Sequence, residues 1–167
     1  MLLILLVLDD MGKLRGMEMG MPNIVEVKNL NAAYGQSKVL FDINLHIKPN
    51  ERVAIVGRNG AGKTTFIKSI LDMIPRAEGA VHFNGLPLFG NEETVKANIG
   101  VVFDTPIYPL HLQPIKVKKL MSPFYRHFDH NKFDQLMERF ELDAKKKIST
   151  YSKGMQMKFS IVMALCH

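Results

Sequence analysis

The chain has 167 residues, of which 47% are hydrophobic, and a formal net charge of +6. This length holds one domain with a sizeable core and gives no sign of a second. The charge is moderate and spread along the chain, and its densest cluster, Lys145 to Lys147, is too short to indicate a nucleic-acid groove. The single cysteine, Cys166, excludes a disulfide framework and indicates a reducing compartment.

The chain begins with an apolar run, Met1 to Leu8, that ends at Asp9 and Asp10. Eight residues are too few to span a bilayer, and the run lacks the positive n-region and small-residue cleavage site of a signal peptide. We therefore interpret residues 1–22 as an extension, either non-native or disordered, in preference to a genuine strand. Four methionines in this segment could be the natural start: Met11, Met17, Met19 and Met21.

The first structured elements are predicted to form an antiparallel sheet. Residues 24–27 and 39–47 alternate between apolar and polar side chains, which is typical of half-buried strands, and residues 29–36 between them are interpreted as a turn that contains Tyr34. The sheet leads into the apolar, β-branched run 52–56, which we predict to be a buried strand.

A phosphate-binding loop (P-loop) follows, because residues 57–65 fit the pattern G-x-x-x-x-G-K-[ST] at every fixed position. Apolar residues at helical spacing come next and predict a helix that begins near Lys63. Glycines let backbone N–H groups wrap a phosphate, the helix start and the Lys63 ammonium attract it, and the Thr64 hydroxyl suits Mg²⁺. The sequence therefore predicts a nucleotide site made by Gly57, Asn59, Gly60, Gly62, Lys63, Thr64 and Thr65.

Later elements alternate between strand and helix patterns. Pro75 is expected to stop the P-loop helix, residues 80–83 form a strand turned by Asn84-Gly85, and residues 99–103 form a buried strand that ends at Asp104. From about residue 105 to 160 the pattern predicts a helical subdomain. One predicted helical face carries Val117, Leu120, Met121, Phe124, Tyr125 and Phe128; a second, after an N-cap at Asp129, carries Phe133, Leu136, Met137 and Phe140; a third helix covers about 155–166.

Residues 151–156, Tyr-Ser-Lys-Gly-Met-Gln, and the helical run after them resemble the signature of ABC ATPases. In that family the serine hydroxyl, the glycine amide and the helix N-terminus grip the γ-phosphate of ATP bound to the opposite protomer. The resemblance implies this role for Ser152 and Gly154. The chain departs from the commonest Leu-Ser-Gly-Gly-Gln form at Tyr151, Lys153 and Met155.

The same resemblance implies roles for two further residues. Tyr34 matches the aromatic residue on which the adenine stacks. Asp104 stands in place of the Q-loop glutamine, which senses Mg²⁺ and the attacking water, so the resemblance implies that it acts with Lys63 in catalysis and with Thr64 at the metal. An Asp here with a Tyr-Ser-Lys-Gly-Met signature is similar to ATPases that serve ABC-2-type permeases, many of them exporters.

The resemblance covers about residues 24–167 and stops short of elements that the family has next: an apolar strand ending in Asp-Glu, a D-loop and a switch histidine. The Asp helps hold Mg²⁺ and the Glu is the general base, so we expect these 167 residues to be marginally stable and not hydrolytically competent. A circularly permuted site, with residues 2–10 as that strand, is disfavoured because no Pro-Thr follows.

The fold implied is α/β: a P-loop NTPase with an N-terminal antiparallel β-subdomain, a partial RecA-like core and a helical signature subdomain, in an incomplete ABC ATPase domain at residues 23–167. The function implied is the ATP-binding subunit of an ABC transporter, which binds ATP and Mg²⁺ and drives a separate membrane permease. It would work as a head-to-tail dimer on the cytoplasmic face of the membrane, without nucleic acid. The alternatives are an ABC ATPase that acts on ribosomes or nucleic acid, a P-loop kinase, and an inactive nucleotide-binding fragment.

Overall fold

The structure is a computed structural model that describes residues 5–8, 23–74 and 76–166, with the backbone alone at 5–8, 76 and 77. The chain divides into two compact units, a first that comprises Asp10–Lys96 and a second that comprises Met1–Asp9 and Ala97–His167. The predicted boundaries near residues 22 and 105 stay predictions.

The helices and strands are numbered in chain order. The strands are β1 Leu5–Leu8, β2 Val25–Tyr34, β3 Ser37–Ile47, β4 Arg76–Phe83, β5 Leu86–Pro87 and β6 Ile99–Val102. The helices are α1 Lys63–Ile70, α2 Glu92–Lys96, α3 Pro114–Met121, α4 His130–Arg139 and α5 Lys153–Leu165, with 3-10 turns at Ser122–Phe124 and Ile148–Thr150. Pro75 and His167 lie outside the described residues.

The first unit contains an antiparallel sheet with the strand order β3-β2-β4-β5. Its buried face carries Val25 and Val27 of β2 and Val81 and Phe83 of β4, each at most 3% exposed, because alternate residues of a strand point to one face. The predicted strands at 24–27, 39–47 and 80–83 are confirmed. The turn at Asn84-Gly85 is confirmed too, with φ of 49° and 79° at its two residues.

The predicted turn over residues 29–36 is wrong, because β2 continues to Tyr34 and only Gly35 and Gln36 turn. The pairing of β2 with β3 is irregular between Val27 and Leu30, where Asn29 adopts a φ of 49°. Asparagine side chains replace the missing ladder bonds, since the Asn29 N–H donates to Asn44 Oδ1 at 2.9 Å. An Asn-rich stretch that is typical of turns is therefore a bulged strand.

The predicted strand at residues 52–56 is also wrong. Within the described parts of the chain, residues 51–58 belong to no strand or helix. Val56 is 90% exposed, and Val53 and Ile55 are 48% and 42% exposed. A β-branched run becomes a strand only where a neighbouring backbone satisfies its N–H and C=O groups. No described strand pairs with residues 52–56.

The second unit pairs β1 with β6 in an antiparallel ladder that runs from Leu5 opposite Val102 to Leu8 opposite Ile99. A short part of the segment that we interpreted as an extension is thus a strand, and that interpretation stays a prediction for the rest of residues 1–22. Helix α5 packs on β6 so closely that a Cβ at Gly100 would meet the Ala164 carbonyl oxygen.

The helical core of this unit is formed by the fully buried side chains of Val117, Phe133, Ile148, Phe159 and Val162. The rings of Phe133 and Phe159 meet edge to face, with centroids 6.5 Å apart. The predicted N-cap is confirmed, because Asp129 Oδ1 accepts a hydrogen bond from the Lys132 N–H at 2.8 Å. The third predicted helix is confirmed as α5.

The predicted single helical face from Val117 to Phe128 is wrong. Helix α3 ends at Met121, a 3-10 turn follows, and the backbone becomes extended at Tyr125. Pro123 has no N–H to donate and its ring clashes with the preceding turn, so the α-helix stops there. Phe124 is consequently 78% exposed, although the pattern had placed it beside the core.

Candidate nucleotide-binding site

The P-loop between residues 57 and 63 has the backbone that the motif predicts. Gly60 and Gly62 adopt φ of 82° and 88°, in the left-handed region that glycine enters without strain. Gly62 is the N-cap of α1, and its carbonyl accepts the Phe66 N–H at 2.8 Å. Since α1 begins at Lys63 as predicted, its first N–H groups and positive dipole end belong to this loop.

The Lys63 ammonium is held by the loop itself. Its Nζ donates to the carbonyl oxygens of Gly57 and Arg58, at 2.7 Å each. An ammonium has three N–H donors, so one stays available for an anion. These bonds hold a full positive charge close to the exposed backbone of the loop.

Strand β3 supports the loop from one side. A Cβ added at Gly62 would lie 3.1 Å from Leu40 Cδ2 and 3.6 Å from Val39 Cγ1. The φ of Gly62 thus favours glycine, and the close approach of Leu40 leaves little room for a Cβ. Sequence reasoning did not assign Val39 and Leu40 to the site, and their alternating pattern gave no signal beyond half-burial.

The remaining site residues of the first unit differ in exposure. Thr64 is exposed, so its hydroxyl is accessible to a metal ion, whereas Thr65 is only 8% exposed and packs inside the unit. Gly57 and Asn59 are exposed in the loop. Tyr34 ends β2 and is 51% exposed, so its ring presents a free surface on which another ring could stack.

The signature residues lie in the second unit, at the start of α5. Ser152 is the N-cap of the helix, and its Oγ accepts the Met155 N–H at 3.3 Å, a long bond. A Cβ at Gly154 would meet only Ser152 Oγ, at 3.9 Å. Neither backbone conformation nor packing requires glycine there, so its presence leaves open space beside the helix N-terminus.

Two neighbours hold the signature turn in place. Tyr151 is 4% exposed and its hydroxyl donates to the Asp143 carbonyl at 2.9 Å; burial raises the pKa of this phenol. Gln156 Nε2 donates to the carbonyls of Ile148 and Tyr151 at 3.3 and 3.2 Å. Sequence reasoning gave no role to Gln156, because it stands four residues after the N-cap Ser152 and so lies outside the capping-box spacing, which has Met155 at its last position.

Asp104 is exposed two residues after the end of β6. It belongs to the second unit together with Ser152 and Gly154, whereas Tyr34 and all of the P-loop residues belong to the first unit. The structure thus brings together the loop glycines, Lys63 and Thr64 as one site, and Ser152 and Gly154 as another.

The comparison with protein families identifies what these two sites share. The family model of ABC transporters matches residues 40–167, which is most of the chain and includes both the P-loop and the signature. The chain belongs to the ABC transporter ATP-binding family. This membership removes the P-loop kinase alternative, and members of the family are ATP hydrolases.

Curated relatives and a solved structure agree with this membership. The chain is 28% identical to the bacitracin transport ATP-binding protein BcrA of Enterococcus faecalis over 149 residues. The aligned part covers 88% of this chain and 48% of that protein. It is 31% identical to the manganese transport system ATP-binding protein MntB of Bacillus subtilis, covering 85% and 60%. A solved ATP-binding subunit of an ABC transporter matches with a TM-score of 0.75 at 30% identity, covering 86% and 62%.

The predicted fold class is confirmed by this neighbour, which has the α/β fold of ABC ATPases. The chain spans about half the length of the first curated relatives that it matches. Among the helices of the described residues, none is long and apolar enough to cross a membrane.

Proposed function

We propose that this chain binds the triphosphate of Mg·ATP with the P-loop of its first unit. The observation that carries the proposal is the Lys63 ammonium, which is fixed 2.7 Å from two carbonyls of a loop whose glycines adopt positive φ. The free donor of Lys63 and the N–H groups at the start of α1 would face the β and γ phosphates. The exposed Thr64 hydroxyl would contact Mg²⁺, and the exposed ring of Tyr34 would stack on adenine.

The signature in the second unit would bind the γ-phosphate of a nucleotide held by a second copy of the chain. Ser152 offers a hydroxyl at a helix N-terminus, and the space left by Gly154 admits an oxyanion close to the backbone. The long bond from the Met155 N–H to Ser152 Oγ supports this, since a weak internal bond is readily exchanged for one to an anion.

At the level of the whole protein, we propose an ATP-binding subunit that couples nucleotide binding and hydrolysis to transport through a separate membrane permease, on the cytoplasmic face. The curated relatives are named for different cargoes, bacitracin and manganese, but share the ATP-binding role. Contacts that depend on the γ-phosphate would favour a closed dimer with ATP and release it after hydrolysis.

We further propose that these 167 residues turn ATP over weakly. Hydrolysis needs a group that orients and deprotonates water, and the polar side chains of the P-loop site, Asn59, Lys63, Thr64 and Thr65, include no such base. Asp104 is the acid that would act at Mg²⁺ or water, as a carboxylate in place of a neutral amide.

Nucleotide binding is tested by thermal unfolding with and without Mg·ATP. A ligand at 100 times its Kd stabilises the folded state by about 2.7 kcal/mol, so the unfolding midpoint of the wild type should rise. Lys63→Ala should abolish the rise, because it removes the cation of the loop. Lys68→Ala, in the last turn of the same helix, is the matched control and should keep it. A rise that persists in Lys63→Ala would contradict the proposal.

A further inference from the structure

The first residue of helix α5 is a lysine that places a full positive charge at the signature. Lys153 lies between Ser152 and Gly154, and its side chain is exposed. The commonest form of the signature has a glycine at this position, so the ammonium is a feature of this chain. The contacts proposed above for Ser152 and Gly154 do not use it.

A cation at this end of a helix is electrostatically unfavourable, because the unpaired N–H groups of the first turn already form the positive end of the helix dipole. Helix α2 shows the favourable arrangement, with Glu92 and Glu93 in its first turn and Lys96 in its last. Helix α5 has no acid in its first turn, and residues 144–167 contain no Asp or Glu at all. Lys153 therefore destabilises the helix on which it lies.

The folded chain does not offset this cost. Among the described residues, no ion pair includes Lys153. Lys118, in contrast, is a lysine that the fold uses, because it is 8% exposed and its Nζ donates to Asp134 Oδ1 at 2.8 Å. An exposed cation at a helix N-terminus, without an acid beside it, suits a binding role better than a structural one.

Helix α1 begins in the same way as α5. Its first residue is Lys63, its first turn also lacks an acid, and it starts directly after the phosphate loop. Of the helices in the part of the chain that the structure describes, only α1 and α5 have a lysine as their first residue. In α1 the cation and the helix N-terminus act together on one anion. The shared arrangement indicates the same ligand chemistry for Lys153, a phosphate group.

The start of α5 offers three kinds of contact to such a group. Ser152 supplies a hydroxyl, the space beside Gly154 admits an anion close to the backbone, and Lys153 supplies an ammonium on a flexible four-carbon stem. A lysine binds phosphate as a point charge, so it needs no fixed geometry in the free protein. The three groups together suit the oxygens of one terminal phosphate.

We propose that Lys153 binds the γ-phosphate of ATP held by a second copy of the chain, and that it makes the association of the two copies selective for ATP over ADP. The inference rests on the proposed function, because the phosphate belongs to the nucleotide in the P-loop of that second copy. Lys63 of one copy and Lys153 of the other then lie at one phosphate. The two ammonium groups repel each other while the phosphate is absent, and both are attracted by it when it is present.

The test is sedimentation velocity of the full chain with Mg·ATP, with Mg·ADP and without nucleotide. Losing one hydrogen bond to a charged group weakens binding about tenfold, and a dimer contains two Lys153 contacts. Lys153→Gln should therefore raise the dissociation constant of the ATP dimer about a hundredfold. Association with Mg·ADP or without nucleotide should not weaken, because no γ-phosphate is present to be lost as a partner. Lys153→Arg keeps the charge and should associate nearly as the wild type does.

Lys158→Gln is the matched control, because Lys158 is also exposed and lies on the same helix, more than one turn after Lys153. It should associate as the wild type does. Lys153→Gln should also raise the urea midpoint of unfolding, since it removes a cation from a helix N-terminus, whereas Lys158→Gln should leave that midpoint unchanged. A variant that is more stable and yet associates less cannot owe its loss to unfolding.

Two results would overturn the role of Lys153 and leave the nucleotide proposal standing: an ATP dimer of Lys153→Gln as tight as that of the wild type, or an equal loss in Lys158→Gln. A wild-type chain that shows the thermal rise with Mg·ATP and yet does not associate would overturn the dimer, and the role of Lys153 with it. A failure of the nucleotide proposal itself would appear separately, as a wild type without the thermal rise, and would overturn both.

Discussion

At the scale of single residues, two glycines of the second unit have opposite surroundings. A Cβ at Gly100 would meet the backbone of Ala164 in α5, whereas a Cβ at Gly154 would meet nothing closer than Ser152 Oγ at 3.9 Å. Gly100→Ala should therefore lower the free energy of unfolding by about 1–3 kcal/mol, because a helix and a strand must separate. Gly154→Ala should leave it unchanged or raise it by up to about 1 kcal/mol.

Urea unfolding of both variants measures this difference. If Gly154 serves a phosphate, its alanine variant should lose ATP-dependent association of two copies while the folded state stays intact. A loss of stability in Gly154→Ala as large as that in Gly100→Ala would show instead that Gly154 is required by the fold.

Cys166 gives a second prediction at this scale, on pH. The thiol is 1% exposed, and burial raises its pKa from 9.0 to about 11. The folded state therefore binds the thiol proton more tightly than the unfolded state does. The stability from this group is complete below about pH 9 and is lost as the pH rises toward 11.

Thiolate is the nucleophile, so the folded chain should react with iodoacetamide far more slowly at pH 8.5 than the unfolded chain in urea. Mass spectrometry of the labelled cysteine measures both rates. Equal rates in the two states would contradict the burial of Cys166.

At the scale of elements, the sequence predicted correctly where the decisive interactions are local. The helix starts at Lys63 and Asp129 follow from a phosphate-loop motif and an N-cap, and the hairpin at Asn84-Gly85 follows from a dipeptide that favours positive φ. It failed where distant contacts decide. Side-chain bonds between β2 and β3 turn the Asn29 stretch into a bulged strand, and residues 52–56 lack a described neighbour.

The same distinction between local and distant contacts applies to the residues of the candidate site. The P-loop was found because its motif fixes the spacing of glycines, lysine and threonine within a short stretch of chain, and the signature was found by its resemblance to a family motif of similar length. Val39, Leu40 and Gln156 were missed because they support those backbones through packing or side-chain bonds that no motif records.

The run at residues 52–56, which pairs with no described strand, leads to a prediction about amide protection. Amides of these residues should exchange with deuterium in seconds at pH 7, because none of the described strands forms ladder bonds with them. Amides of Val81 and Phe83, in the middle of a four-stranded sheet, should be protected by several orders of magnitude. Exchange followed by mass spectrometry compares the two peptides in one sample, and equal protection would mean that residues 52–56 are paired in solution.

At the scale of the whole molecule, each unit carries half of the proposed chemistry. The first unit holds Lys63 and the phosphate loop, and the second holds Ser152 and Gly154 at the start of α5. A division of this kind suits a site that is completed by two copies, with the P-loop of one facing the signature of the other. The proposed dimer predicts how much ATP retention returns when two defective variants are mixed, whereas a site within one copy predicts that none returns.

Lys63→Ala alone should destroy both sites of a dimer, and so should Ser152→Ala alone. A mixed dimer contains one Lys63→Ala copy and one Ser152→Ala copy. One of its sites combines both defects. The other site joins the intact P-loop of the Ser152→Ala copy to the intact signature of the Lys63→Ala copy. Random mixing of equal amounts makes half of the dimers mixed, each with one working site of two. About a quarter of the wild-type ATP retention should return.

Filter retention of labelled Mg·ATP, measured on each variant and on the mixture, gives the fraction directly. Ser149→Ala replaces an exposed serine within the 3-10 turn Ile148–Thr150, just before the signature, and on its own it should leave retention at the wild-type level. If the mixture retains no more than the two variants alone, Lys63 and Ser152 do not meet across a dimer. Rescue near a quarter requires that they do, because complementation depends on one intact residue from each copy at a single phosphate.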